Sequence, residues 1–134
     1  MAENTVVKEQ LTDAMVNAGA RLTEKLDEMG LPVTAAFWLF MPEVNEWRLL
    51  FASPEIASEG RRAVYDKIRR AIEQLKGTAA AAPLSVIGLM DTDADLIRLL
   101  KTAVQTGPGV NSVRFSKNVI SGHFIDDALI YRVA

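Results

Sequence analysis

Residues 35–53, AAFWLFMPEVNEWRLLFAS, hold both tryptophans and three of the five phenylalanines of the chain, in two apolar runs joined by Met41-Pro42-Glu43-Val44-Asn45. The stretch reads as a β-hairpin at the centre of a core. Residues 35–41 are apolar at every position, whereas a strand with one wet face alternates apolar and polar side chains. Both faces of this strand are therefore expected to be covered, by helices of the chain itself or by a second copy. Period-two geometry sends Trp38 and Phe40 to one face and Phe37, Leu39 and Met41 to the other. If one face lined a pocket instead, Trp38 and Phe40 would suit an apolar or planar ligand.

Upstream, Val7, Leu11, Ala14 or Met15, Ala18, Leu22, Leu26 and Met29 recur three and four apart. That spacing predicts an amphipathic helix over about residues 5–29. Gly30, followed by Leu31 and Pro32, has the pattern of a left-handed C-cap with its hydrophobic contact. Downstream, Ser53-Pro54-Glu55 combines an N-cap, a first-turn proline and an acid at the positive helix end. A second helix is expected from there to Lys76, with Ile56, Val64, Ile68, Ala71, Ile72 and Leu75 inward and Gly60 marking a break or a close packing point. Gly77 caps its end, and residues 78–83, TAAAAP, read as a surface connection.

Residues 84–90, LSVIGLM, read as a short buried strand between Pro83 and Asp91. A third helix is expected over about 92–106, with Leu96, Ile97, Leu99, Leu100, Ala103 and Val104 on one face and Gly107-Pro108-Gly109 as its stop. Residues 113–115 and 128–133 read as closing strands, the last with Leu129, Tyr131 and Val133 alternating with Ala128, Ile130 and Arg132. The order helix, strand, strand, helix, strand, helix, strand, strand predicts an α/β fold, with α+β as the alternative. Its mixed sheet of about five strands would have antiparallel edges, three helices and two right-handed strand-helix-strand crossovers. One domain spanning residues 1–134 is expected for this length.

The chain has no cysteine and a single histidine. Disulfides, iron–sulfur ligation, zinc ribbons and thiol catalysis all need sulfur, and a site with two imidazoles needs a second histidine. A net charge of -2 argues against a dedicated nucleic-acid binder. No apolar run approaches the ~20 residues of a membrane-spanning helix. MAENTVVKEQ lacks the charged and apolar regions of a secretory signal, so a cytoplasmic location is expected.

Three constellations are candidates for chemistry. Asp91, Asp93 and Asp95 stand at alternate positions after a predicted strand, where they could converge on Mg²⁺. That strand-then-DxD context is similar to Toprim-type nuclease domains and haloacid-dehalogenase-like phosphatases, although neither pattern is completed. Leu96 and Thr102 occupy the positions where a calcium EF-hand needs glycine and glutamate. The preferred reading is a helix start, with Asp91 or Thr92 as N-cap and no bound metal. His123 with Asp126 and Asp127 lies in SGHFIDD, read as a polar loop, where a carboxylate-oriented imidazole could act as a general base. The preferred reading there is surface hydrogen bonding.

Arg61, Arg62, Lys67, Arg69, Arg70 and Lys76 make the second helix locally basic, with Tyr65 beside them. Arg62, Tyr65 and Arg69 are the candidates for contacting phosphate or an acidic partner. Glu59 and Arg62, Asp66 and Arg70, and Arg69 and Glu73 stand at pairing distance, which favours a self-paired, solvated face. The sequence supports a small binding or accessory domain that acts through protein or small-ligand contacts, without cofactor, and associates with itself. An Mg²⁺-dependent phosphoryl-transfer or nuclease-like activity of the three acids is the first alternative, and weak nucleic-acid binding through the basic helix the second.

Overall fold

Thr12 sets where the first helix begins. In the computed structural model, which describes residues 7–134, helix α1 spans Asp13–Glu28. The Thr12 hydroxyl accepts the Met15 amide at 3.1 Å and Asp13 sits in the positively polarised first turn. The helix does not begin near residue 5. Residues 7–12 are not helical; the Val7 and Glu9 backbone bonds to Asn45 and Trp47 of the hairpin instead, and residues 5 and 6 lie outside the described residues. At the other end the Leu31 amide donates back to Leu26 O at 3.0 Å and buried Leu31 closes the turn, the cap read from Gly30-Leu31-Pro32.

Strands β1 (Ala35–Met41) and β2 (Glu46–Ala52) form the expected hairpin, with Phe40 opposite Trp47 and their ring centroids 5.3 Å apart. The second helix is broken in two, α2 (Glu55–Glu59) and α3 (Arg61–Gln74). Between them Gly60 has φ 91° and ψ 158°, a conformation open to glycine alone. Helix α2 starts where the signal places it, but Pro54 rather than Ser53 holds the N-cap position and no side chain caps it, although Ser53 Oγ accepts the Glu55 amide at 3.2 Å. Residues 78–83 are not a surface connection, for Ala79 and Ala82 are buried in the core. Leu84–Val86 forms one tight helical turn, which shortens the expected strand to β3, Ile87–Met90.

Helix α4 is Asp95–Ala103, followed by β4 (Val113–Ile120) and β5 (His123–Val133). The sheet order is β3-β2-β1-β5-β4, parallel between β2 and β3 and antiparallel elsewhere. This is the mixed α/β sheet read from the element order, with one change. Only β2 to β3 is a parallel crossover. The β4–β5 hairpin joins the free edge of β1, so α4 carries the chain from one edge strand to the other, and β4 runs antiparallel to β3. The closing strands are also longer than expected, and residues 121–127 are no loop: Ser121-Gly122 make a tight turn and His123 already belongs to β5.

The sheet separates two cores. On one face Trp38, Phe40, Trp47, Leu49, Phe51, Leu129 and Tyr131 pack under α1 and α3; on the other Phe37, Leu50, Ala128 and Ile130 pack under Ile97 and Leu100 of α4. A bulge in β5 opposite Ala36 and Phe37 overturns the simple alternation expected for the last strand. It sends neighbouring Tyr131 and Arg132 to the α1 face, while Val133 joins the α4 core. Both bulge residues anchor α1. The buried Tyr131 hydroxyl donates to Val16 O at 2.6 Å and accepts from Trp38 Nε1 at 2.9 Å. Burial away from water pushes that phenol's pKa well above its usual value despite the Trp38 bond. The Arg132 guanidinium, 3% exposed, grips Asp27 through two bonds of 2.9 and 2.7 Å and also donates to Val33 O and Gly109 O. Gly19 lies where α1 crosses this pair, and any Cβ there would run into Tyr131 and Trp38.

Candidate functional site

The densest polar cluster lies where the segment before α1 crosses the hairpin. Asp127, 5% exposed, receives four hydrogen bonds: Arg114 Nε to Oδ1 at 2.6 Å, Arg114 Nη2 to Oδ2 at 2.8 Å, Ser116 Oγ at 2.9 Å and Lys8 Nζ at 2.9 Å. Burial alone would raise its pKa. The bonds from Arg114, Lys8 and Ser116 overcome this and hold the carboxyl well below the usual range. Lys8 also reaches Asp126 at 2.9 Å and stands 4.6 Å from the Phe40 ring centroid and 5.8 Å from that of Trp47, with Arg114 over Trp47 at 5.5 Å. Adjacent Asp126 and Asp127 of β5 both reach Lys8.

The backbone of the same segment is also bound. Asn45, left-handed at the end of the β1–β2 turn, accepts the Glu9 amide at 2.8 Å and donates to Val7 O at 3.0 Å, while Trp47 Nε1 donates to Glu9 O at 2.8 Å. Clefts of about 260 and 700 Å³ border the segment, the first toward Arg114 and the second toward Ser85 and Val86.

A second feature lies on the opposite sheet face. The nine-residue α4 covers that face only in part. A cavity of about 500 Å³ lies between Leu96, Leu99 and Thr102 of the helix and His123, Phe124 and Ile125 of β5, with Asp95 and Arg98 on its rim. A further cavity of about 360 Å³ continues past Phe124 to Leu39, Met41 and Pro42. Phe124 is 60% exposed.

Most residues singled out in the sequence are not brought together. Asp91 lies at the end of β3, 4.0 Å from Arg61, and Asp95 faces Arg98 at 3.9 Å in the first turn of α4. No three carboxylate or imidazole groups among the described residues assemble into a metal site. The capping assignment is corrected as well: Ala94 holds the N-cap position with no side-chain cap bond, so neither Asp91 nor Thr92 caps α4. His123 is exposed and its Nδ1 lies 3.2 Å from Ser121 O, whereas Asp126 turns to Lys8. An acid-oriented imidazole is therefore not formed.

On α3, Arg69 pairs with Asp66 at 3.9 Å and Glu73 at 2.9 Å, and Lys67 pairs with Glu55 and Glu59. The expected partners Glu59 and Asp66 are thus held by Lys67 and Arg69 rather than by Arg62 and Arg70. The Tyr65 hydroxyl donates to Ile87 O at 3.4 Å, so the ring belongs to the α3–β3 contact. Trp38 is fully buried and bonded to Tyr131, which leaves it no room for a ligand. Phe40 alone of the two aromatic candidates borders a site, as the floor under Lys8.

The sequence reading passed over Lys8, Asn45, Trp47 and Arg114. One signal was available: Thr12-Asp13 is itself a helix start, which would have freed residues 7–11 for another role. Comparison with known proteins adds no functional information, since no protein-family model, no curated protein and no solved structure matches the chain.

Proposed function

We propose that this chain is a small cytoplasmic binding domain that acts through protein contacts, and that it associates with a second copy of itself through the groove between α4 and the tip of the β4–β5 hairpin. The observation that carries this reading is the apolar surface left open there, with Phe124 60% exposed beside Leu96, Leu99 and Ile125. The hairpin aromatics do not supply it, because the chain's own helices bury them, Trp38, Phe40, Trp47 and Phe51 on the α1 face and Phe37 under α4.

The sheet edges favour a face over an edge as the contact. Arg61 and Tyr65 of α3 donate to Leu89 O and Ile87 O and so occupy the carbonyls of edge strand β3. Edge strand β4 carries exposed Lys117 in a left-handed conformation at its middle, and both a lysine and a local twist oppose pairing with another strand. The groove has neither protection. Its rim is self-complementary, since a two-fold axis across α4 would set Asp95 of each copy near Arg98 of the other. Light scattering at about 100 μM chain tests the reading, the expected mass being twice 14.7 kDa. Phe124→Glu should give a folded monomer. A wild-type monomer at that concentration overturns the proposal.

A further inference from the structure

The way residues 7–9 are held has the features of peptide recognition rather than of ordinary chain packing. One asparagine reads both polar groups of an extended backbone, the Glu9 amide and the Val7 carbonyl, and the Trp47 indole takes the Glu9 carbonyl. Between these backbone contacts a single side chain enters the protein. Lys8 Nζ bonds to two carboxylates, Asp126 and Asp127, above the faces of Phe40 and Trp47. Two anions and two aromatic faces match an ammonium group in both charge and shape. The flanking side chains are not read: Val7 is 78% exposed and Glu9 is also exposed.

The pocket does not depend on Lys8. Asp127 keeps three of its hydrogen bonds, from Arg114 and Ser116, when the lysine is removed. Asn45 and Trp47 belong to the hairpin, whose conformation is set by β1–β2 pairing. The site is therefore built by the domain and filled by a segment that carries no helix or strand of its own.

We infer that the surface formed by Asn45, Trp47, Phe40, Asp126 and Asp127 is a binding site for an extended peptide bearing a free lysine, and that residues 7–9 occupy it in place of such a segment from a partner protein. A tethered occupant competes at an effective concentration in the millimolar range, so the intact chain binds a partner segment only weakly unless its own segment is released. Phe40 and Asp126 also line the smaller cavity beside Phe124, but no described residue of α4 bonds to residues 7–9, and this inference does not rest on self-association.

The test uses the full-length chain and a fluorescent peptide with the sequence TVVKEQL, followed by anisotropy. Lys8→Ala weakens the internal competitor and leaves the pocket in place, so the variant should bind the peptide roughly tenfold or more tightly than the wild type does. Glu9→Pro deletes the amide donated to Asn45 without changing any pocket residue and should give the same gain. Acetylating the peptide lysine, or adding Asn45→Gly to Lys8→Ala, should abolish binding, while circular dichroism reports that each variant is folded. If folded Lys8→Ala and Glu9→Pro chains bind the peptide no better than the wild type, or bind the acetylated peptide equally well, the segment is only structural and the inference fails.

Discussion

Replacing Gly19 by alanine should destabilise this protein, although the same change in the middle of a helix ordinarily stabilises by about 1 kcal/mol. A Cβ at position 19 would stand 2.7 Å from Trp38 Nε1 and 2.8 Å from Tyr131 Cε2, and closer still to the Tyr131 hydroxyl. Neither ring can yield cheaply. Both are fully buried, and the hydroxyl is held between Trp38 and Val16 O. Relief requires either lifting α1 from the sheet or breaking those bonds. Overpacking of this kind costs about 1–3 kcal/mol, and a buried hydrogen bond lost costs about 1 more. Set against the gain in helix propensity, the net loss is about 1–3 kcal/mol. For a chain of this size that lowers Tm by roughly 4–12 °C. Thermal and urea unfolding of Gly19→Ala measure it directly. In a Tyr131→Phe background the penalty should shrink, because the nearest obstacle is gone and the two sites are coupled. A higher Tm for Gly19→Ala, or an equal penalty in both backgrounds, would refute the close approach of α1 to the Trp38–Tyr131 pair.

Asp127 makes the fold acid-sensitive. Its folded pKa is depressed, so its stabilisation is complete above the unfolded carboxylate pKa of about 4 and fades as pH falls below it; Asp127→Asn should flatten that part of the stability curve in denaturant titrations from pH 7 to pH 2. Asp27→Ala leaves the buried Arg132 guanidinium without its carboxylate and should cost about 2 kcal/mol by urea unfolding, less than for a wholly buried pair because the Asp27 side chain is 41% exposed. Millimolar Mg²⁺ or Mn²⁺ should leave Tm unchanged, since Asp91, Asp93 and Asp95 form no site; a rise of several degrees that Asp93→Asn abolishes would restore the metal-dependent reading.

The α/β class, the central hairpin and the ends of several elements were legible in local sequence, because each depends on interactions within a few residues. The unbroken apolar run of β1, the Gly30-Leu31 cap and the Gly60 break are all signals of that range, and each is used in the structure. The competition at residues 7–12 was partly legible too, as Thr12-Asp13 is a helix start inside a longer apolar period. Periodicity favoured the longer helix, and the bonds from Asn45 and Trp47 decided for the shorter one. Tertiary structure alone placed the bulge that turns Tyr131 and Arg132 to one face, the pairing of Lys8 with Asp126 and Asp127, and the route of α4 across the sheet. Those partners are separated by about a hundred residues or belong to opposite sheet edges. No local pattern encodes such contacts, because they exist only once the sheet has brought distant strands into register.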